Sequence, residues 1–375
     1  METMETTTIM ETNLPYSDST LWPATDAINT TTNITEETGF VFDDINQRII
    51  VATVVICTSI LGICGNSLVI LSVLLSRRLR TASNIFVMNL ACSDLLTSLH
   101  TPWNAVALLS HNGWPLPAWI CTSAAGIMFV CVGCSLYSLA SIAVDRYIVI
   151  TRLYRIDGSL YPRYVLVIWI SLTWLIPFMV FIVPPLNGIG GIGYNSKYCS
   201  CSQLSTAYRS NTYDVITSTG LYPIPLIIII SCYLTVYCHI RRHTNNILNM
   251  SGRQDDDVTA RVKNRQVQIT KNMFYVVCGF FICITPYGVS LVIDSSDPVV
   301  PYAATLVLMN ACINPLIYAK HPLFKKVYRK ILTCRWKEVI HEESSSVVRM
   351  RTISSQRSPN YVSVKQKSSE IGLDR

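Results

Sequence analysis

The chain has 375 residues, half of them hydrophobic and only 14% charged, against about 25% charged in an ordinary soluble domain. Its net charge of +7 would suggest a nucleic-acid partner if it were spread evenly, but the first 47 residues hold nine acidic residues and no Lys or Arg, while residues 320–375 hold 13 of the 30 basic ones. An apolar chain with its charge sorted in this way reads as a membrane protein, which excludes a pair of soluble domains and removes the case for nucleic acid.

Residues 1–47 form an acidic, Thr-rich tail with a repeated Met-Glu-Thr at its start, a composition expected to be disordered. Asn29-Thr-Thr and Asn33-Ile-Thr are glycan acceptors that only an extracellular tail can use. No basic segment followed by a short apolar run occurs in residues 1–30, so no cleaved signal is expected and the first span is expected to direct its own insertion.

Seven runs long enough to cross a bilayer as helix follow. The first, 49–75, contains Asn66; the second, 82–109, contains one charge, Asp94, together with His100. The third starts at 119, just before Cys121, and includes Met128 and Ser135. It stays uncharged to 144 and is expected to remain helical to 151, through Asp145-Arg146-Tyr147. From Cys121 to Arg146 is about 37 Å of helix at 1.5 Å per residue, enough to connect the two faces of a membrane. The fourth, 164–186, carries Trp169 and Trp174. The fifth is expected over 213–240, the sixth over 266–293 and the seventh over 298–319, the fifth and sixth being uncharged from 215 and 272 onward. Pro102, Pro177, Pro225, Pro286 and Pro315 lie within these runs, where neighbouring helices can satisfy the freed backbone groups. A basic amphipathic segment, 320–337, follows the last span, and a polar Ser/Thr-rich tail, 338–375, is expected to be disordered.

The segments 76–83, 146–163, 239–271 and 320–375 hold 27 of the 30 basic residues, leaving only Arg48, Lys197 and Arg209 for the other side. The basic side is cytoplasmic by this bias, so the N-terminus is expected outside and the C-terminus inside, in a multi-pass plasma-membrane protein. Most of the fourteen cysteines lie in apolar spans and read as small packing residues. Cys121, Cys199 and Cys201 face the oxidising side, so a disulfide is expected from Cys121 to the 187–213 loop, with Cys201 the preferred partner and Cys199 the alternative. Cys334, among basic residues, is a candidate for palmitate and equally for a plain thiol.

An acid deep in a span needs partners. For Asp94 the candidates are Asn66, Ser135, Asn310 and Asn314, the last two sharing a helix face. One carboxylate with several neutral oxygens suits a hard cation such as Na⁺ with water, or else an interhelical hydrogen-bond network without an ion. The Asp145–Arg146 pair, taken alone, is no more than a solvated pair at a helix end.

Together these residues resemble the rhodopsin-like (class A) G-protein-coupled receptors over residues 48–337. The matching motifs are Gly65-Asn66, Asn89-Leu-Ala-Cys-Ser-Asp94, Cys121, Asp145-Arg146-Tyr147, Pro225 with Tyr233, Pro286, and Asn314-Pro315-Leu-Ile-Tyr318. Leu323-Phe324-Lys-Lys-Val-Tyr328 stands where the family has its eighth helix. The resemblance implies an all-α seven-helix membrane bundle with a short amphipathic eighth helix, and a non-enzymatic receptor that passes the binding of an extracellular or membrane-borne small ligand to a heterotrimeric G protein. It implies that Asp145, Arg146, Tyr147, Tyr233, Asn314, Pro315 and Tyr318 form the coupling switch. It also implies that Asp94, Ser135, Asn310 and Asn314, with Asn66, form an allosteric sodium pocket, no other cofactor being expected. The likeness is nearest to the branch holding the melatonin receptors, the insect receptors moody and trapped-in-endoderm, and the medium-chain fatty-acid receptor, on Leu79-Arg-Thr-Ala-Ser-Asn-Ile-Phe, Asn112-Gly-Trp114, Tyr198-Cys-Ser-Cys201 and Asn310-Ala-Cys-Ile-Asn314.

The departures bear on restraint and ligand. Gln266 stands where the family often has an acid that restrains the Arg, and Ile284 stands where it has an aromatic. Two usual restraints are therefore missing. Met128 occupies the position of the span-three Asp of amine receptors, so a biogenic amine is not expected. Leu308 occupies the position of the retinal Lys, which excludes a covalent retinal. Ser205 stands four residues past Cys201, where melatonin receptors carry Gln and the fatty-acid receptor Arg, so neither ligand is supported. His100, Met128, Ile284 and Asp294 are the candidate ligand-pocket residues, and the scarcity of charge leans toward a lipid or neutral molecule. Loop 241–271 is a candidate G-protein contact and equally a solvated loop against anionic lipid. Ser344–Ser346 and Thr352 to Ser354 are candidate kinase sites that an arrestin could read, in a tail that serves equally as a soluble linker. The rival class, a seven-helix transporter or channel without G-protein coupling, is weakened by the lack of internal repeats and by the single deep acid.

Overall fold

The computed structural model describes residues 41–151, 162–204, 206–249, 257–290, 293, 297–335 and 337–339. Asn29, Asn33, Asp294, Ser205 and the tail sites from Ser344 onward lie outside the described residues, as does the side chain of Gln266.

Seven membrane helices form one bundle. Span one is Ile45–Leu75, span two Ala82–Leu109, span three Ala118–Thr151 and span four Arg163–Phe181. Span five is built from Ser210–Leu221 and Pro223–Asn249, span six is Asp257–Ser290 and span seven Val300–Tyr318. The amphipathic helix Pro322–Leu332 follows.

The ends of these helices have local causes. Span one starts four residues before the expected 49 because Asp44 caps it, its carboxylate accepting from the backbone amides of Asn46 (2.9 Å) and Gln47 (3.4 Å). Span four stops at Phe181 rather than running to 186, since Pro184 and Pro185 lack the amides a continuing helix would use; a single separate turn, Val183–Leu186, takes their place. The helix expected over 320–337 is shorter: Pro322 occupies its first turn, and Cys334 just past its end has φ +56°.

Among the described residues, six helices are long and apolar enough to cross a membrane by composition. Ala82–Leu109 is the span that falls short, because one buried face carries Asn89, Ser93, Asp94, Thr97, Ser98, Thr101 and Asn104. It spans as part of the bundle, with that face turned inward. Span three is the most buried of the six and span four the least. Lipid provides no hydrophobic drive between helices, so close approach relies on small residues. A Cβ on Gly62 would stand 2.1 Å from the Ser98 hydroxyl, one on Gly65 2.8 Å from Pro315, and one on Gly133 2.7 Å from Pro177.

Between spans four and five lies a hairpin absent from the sequence reading. Strand β1, Ile192–Asn195, pairs antiparallel with β2, Ser200–Gln203, setting Tyr194 opposite Cys201. Cys201 is disulfide-bonded to Cys121 at the start of span three, with Cα atoms 5.2 Å apart, and Cys199 remains a buried free thiol.

Candidate functional site

Three assemblies are stacked along the bundle. At the level of Asp94, Ser135 of span three donates to one carboxylate oxygen (3.0 Å) and Asn314 of span seven to the other (2.7 Å). Ser93 and Ser135 share a further hydrogen bond of 3.0 Å. Asn66 does not reach Asp94: its amide donates to the backbone carbonyls of Gly62 (3.0 Å) and Ala311 (2.8 Å), joining spans one and seven. Asn66, Asn310 and Asn314 each keep a buried side-chain carbonyl oxygen without a hydrogen-bond partner. Asp94, Ser135 and Asn314 thus bring a carboxylate and neutral polar groups together, the donor type that a hard cation takes.

Toward the end of the bundle that carries the amphipathic helix, Asp145 and Arg146 are both buried and paired at 2.6 Å. Sequence alone offered a solvated pair, and burial makes it something else. The Ser83 hydroxyl of span two also donates to Asp145, a partner that the sequence reading missed. Tyr233 of span five lies within electrostatic reach of Arg146, and Tyr318 of span seven within reach of Tyr233. Both hydroxyls are buried without a hydrogen-bond partner. Tyr318 stacks on Phe324 of the amphipathic helix (5.7 Å between rings), so this helix is attached to the same cluster. Tyr147, by contrast, points to the exterior, 36% exposed.

The two tryptophans of span four separate cleanly. Trp174 donates to the Asn89 carbonyl (2.9 Å), while the Asn89 amide donates to Ser138 (2.8 Å) and Thr173 (3.0 Å), tying spans two, three and four. Trp169 packs edge-on against Phe86 at 5.6 Å.

At the opposite end a cavity of about 250 Å³ opens between the spans and the hairpin. Met128 and Phe129 of span three, Phe181 of span four, Tyr222 of span five and Tyr287 of span six supply much of its wall. Asn104 reaches it from span two while accepting from the Cys201 amide (3.0 Å), so the disulfide and span two together position the hairpin beneath which the cavity lies. Asp214 is the one charged residue among the described residues of the wall. Of the expected pocket residues, Met128 lines this cavity. His100 does not: its ring is bonded to the Leu96 carbonyl one turn back (2.9 Å). Ile284 does not either, being buried in the hydrophobic core between the spans. Being on an apolar span near the right depth does not say which way a side chain faces. Asp214, one of the few charged residues toward the ends of the apolar runs, lines the cavity, as do Tyr222 and Tyr287, for which the sequence offers no signal.

Outside the spans, a small polar latch closes over the same end. Asp297 accepts from Lys197 (2.8 Å) and from the Tyr198 hydroxyl (2.7 Å), and these bonds hold its carboxyl below the usual carboxylate range. Burial, and then Asp297, push the Tyr198 phenol up. The Phe42 amide donates to the Lys197 carbonyl (2.9 Å), and Tyr302 donates to Gln47 (2.6 Å).

A seven-helix membrane bundle with a cavity at one end, a buried Asp-Arg pair at the other and a carboxylate site between defines a class of signalling receptors. The chain belongs to the 7 transmembrane receptor (rhodopsin family), whose model matches residues 65–318. It is 31% identical to melatonin receptor type 1B of Rattus norvegicus over 305 residues, covering 76% of this chain and 78% of the relative. It is 28% identical over 349 residues to a GQ-coupled rhodopsin of Mizuhopecten yessoensis, covering 86% of this chain and 69% of that one. Squid rhodopsin matches the fold with a TM-score of 0.69 at 24% identity, over 80% of this chain and 84% of that one. The protein is therefore a multi-pass, melatonin-receptor-like member of the rhodopsin family that signals through heterotrimeric G proteins, and the transporter reading has no support.

Proposed function

We propose that this receptor responds to a small, largely apolar molecule that reaches the cavity from outside the cell or from the outer leaflet. The supporting observation is the pairing of a cavity at one end with buried, unsatisfied polar groups at the other: the Tyr233 and Tyr318 hydroxyls and one Asp145 oxygen have no hydrogen-bond partner. Such groups are costly as they stand, so an alternative arrangement that satisfies them is energetically accessible. The ligand selects that arrangement by binding it more tightly. In it Arg146 leaves Asp145, span six moves outward, and Tyr233 and Tyr318 close on the vacated space while the G protein enters.

In this reading the N-terminus is extracellular and glycosylated at Asn29 and Asn33, and the chain sits in the plasma membrane with its C-terminus inside. Kinases and arrestin read the 338–375 tail, and Cys334 is a lipid-anchor candidate. Asp94, Ser135, Asn66, Asn310 and Asn314 hold Na⁺ in the inactive arrangement; Asp94→Asn removes any thermal stabilisation specific to Na⁺ over choline. The central test is GTP exchange in membranes from cells expressing the full chain. Arg146→Ala at matched surface expression abolishes receptor-dependent exchange if this account holds. Undiminished exchange in that variant rejects it.

A further inference from the structure

We infer that the ligand carries one protonated nitrogen, and that Asp214 receives it. The inference rests on the cavity being the ligand site. Met128 removes the acid from the span-three wall, but the cavity does not thereby become neutral. Asp214, an exposed residue at the cavity's edge, lines it from span five, and no cation or hydrogen-bond donor among the described residues is set against its carboxylate. Its main-chain carbonyl is used, accepting from Thr217 (3.1 Å) and Ser218 (2.6 Å), which fixes the local helix without touching the side chain.

The surroundings of this carboxylate are specific. Tyr287 of span six lies within electrostatic reach of Asp214 and of Tyr222, and Tyr198 of the hairpin lies within reach of Tyr287. All three tyrosines line the same cavity. The Tyr198 ring already carries the Lys197 ammonium at 5.4 Å, which leaves one carboxylate and the phenol rings of Tyr222 and Tyr287 as the donor set for an alkylammonium: the acid supplies the ion pair, and electron-rich ring faces attract the flanking N–H or N–CH groups. The remaining wall is largely aliphatic and aromatic and suits an apolar body. The ligand class is thus an apolar amine whose charged nitrogen points toward span five, rather than toward span three as in amine receptors.

The test uses the full chain in lipid nanodiscs and matched probes, namely phenethylamine and its N-alkyl and longer-chain homologues beside the phenylalkanols of equal length. Binding is read as a shift in thermal unfolding, and signalling as G-protein dissociation in cells. Amine probes are expected to bind and alcohols of the same shape to bind about 3- to 10-fold more weakly, the gain of a partly exposed ion pair. Asp214→Asn should remove that gap, while alcohol binding changes little. Tyr287→Ala, which removes a ring face, should narrow it. Amines no better than alcohols, no amine binding at all, or an amine preference that survives Asp214→Asn overturns the proposal. Receptor-dependent GTP exchange that still requires Arg146 in those same cells would locate the failure in the ligand assignment and leave the receptor reading standing.

Discussion

The Asn89 junction gives a quantitative test of what holds spans two, three and four together. Asn89→Ala removes one accepted bond, from Trp174 (2.9 Å), two short donated bonds, to Ser138 (2.8 Å) and Thr173 (3.0 Å), and a longer donated contact to the Cys134 sulfur (3.8 Å). Interhelical hydrogen bonds in membranes average about 0.6 kcal/mol each, so the variant should lose about 2 kcal/mol. Trp174→Phe keeps most of the ring and forfeits one bond, leaving the Asn89 carbonyl unsatisfied, at a cost of about 1 kcal/mol. Trp169→Phe preserves a ring beside Phe86 and should cost less. On the scale of about 2–4 °C per kcal/mol for domains of 150–250 residues, thermal unfolding in detergent or nanodiscs should fall by about 4–8 °C for Asn89→Ala. The double variant Asn89→Ala with Trp174→Phe should match Asn89→Ala alone, since the shared bond is lost only once. If Trp169→Phe destabilises more than Trp174→Phe, or the double variant shows simple additivity, the junction is not the fastener described here.

Gly65→Ala places a Cβ 2.8 Å from the rigid Pro315 ring, so overpacking of about 1–3 kcal/mol is expected; unchanged unfolding temperature and surface expression would contradict the packing. Cys201→Ser should cost about 2–5 kcal/mol or prevent surface delivery, whereas Cys199→Ser, which removes a thiol outside the disulfide, should be tolerated; the reverse order in a surface-labelling assay refutes the assignment. With Gln266 and Ile284 at two positions of usual restraint, basal GTP exchange should exceed that of mock-transfected cells at matched surface expression, and parity would count against the idea. Asp297 is held below the usual carboxylate range by Lys197 and Tyr198, so its contribution is complete above pH about 4 and is lost as acid carries the pH down through its lowered value. The difference in unfolding temperature between the wild type and Asp297→Asn should therefore be small and constant from pH 7 to 5, since partly exposed pairs are worth at most about 1 kcal/mol. A difference that changes within that range refutes it.

Much of the bundle was legible because lipid imposes a simple code: long uncharged runs span, and intramembrane polar residues face partners. Asp94, Ser135 and Asn314 could be grouped from residue type and helical spacing, and the structure brings the three into direct contact. Asn66 was grouped by the same logic but bonds to main-chain carbonyls, because what an amide finds across a helix interface depends on helix rotation. The hairpin was hidden for a different reason. Its strands are four residues each and contain Gly193 and Ser200 rather than an alternating apolar pattern, so their pairing follows from the disulfide and turn geometry and not from periodicity. Pocket residues were the hardest, since His100 and Ile284 lie on apolar stretches where side-chain direction is decided by packing alone.

The Asp145–Arg146 pair shows why burial, more than motif, carries the mechanism. At a solvated helix end the pair would be worth almost nothing and could not bias a conformational equilibrium. Buried as it is, with Ser83 as an additional donor and one Asp145 oxygen still unsatisfied, breaking it exposes a charge that needs a new partner, a cost of several kcal/mol unless one is provided. In the proposed mechanism a bound G protein provides that partner, and so does the Tyr233 hydroxyl, which lies within reach of Arg146. In the same mechanism a ligand at the far cavity shifts this equilibrium through a modest difference in its affinity for the two arrangements.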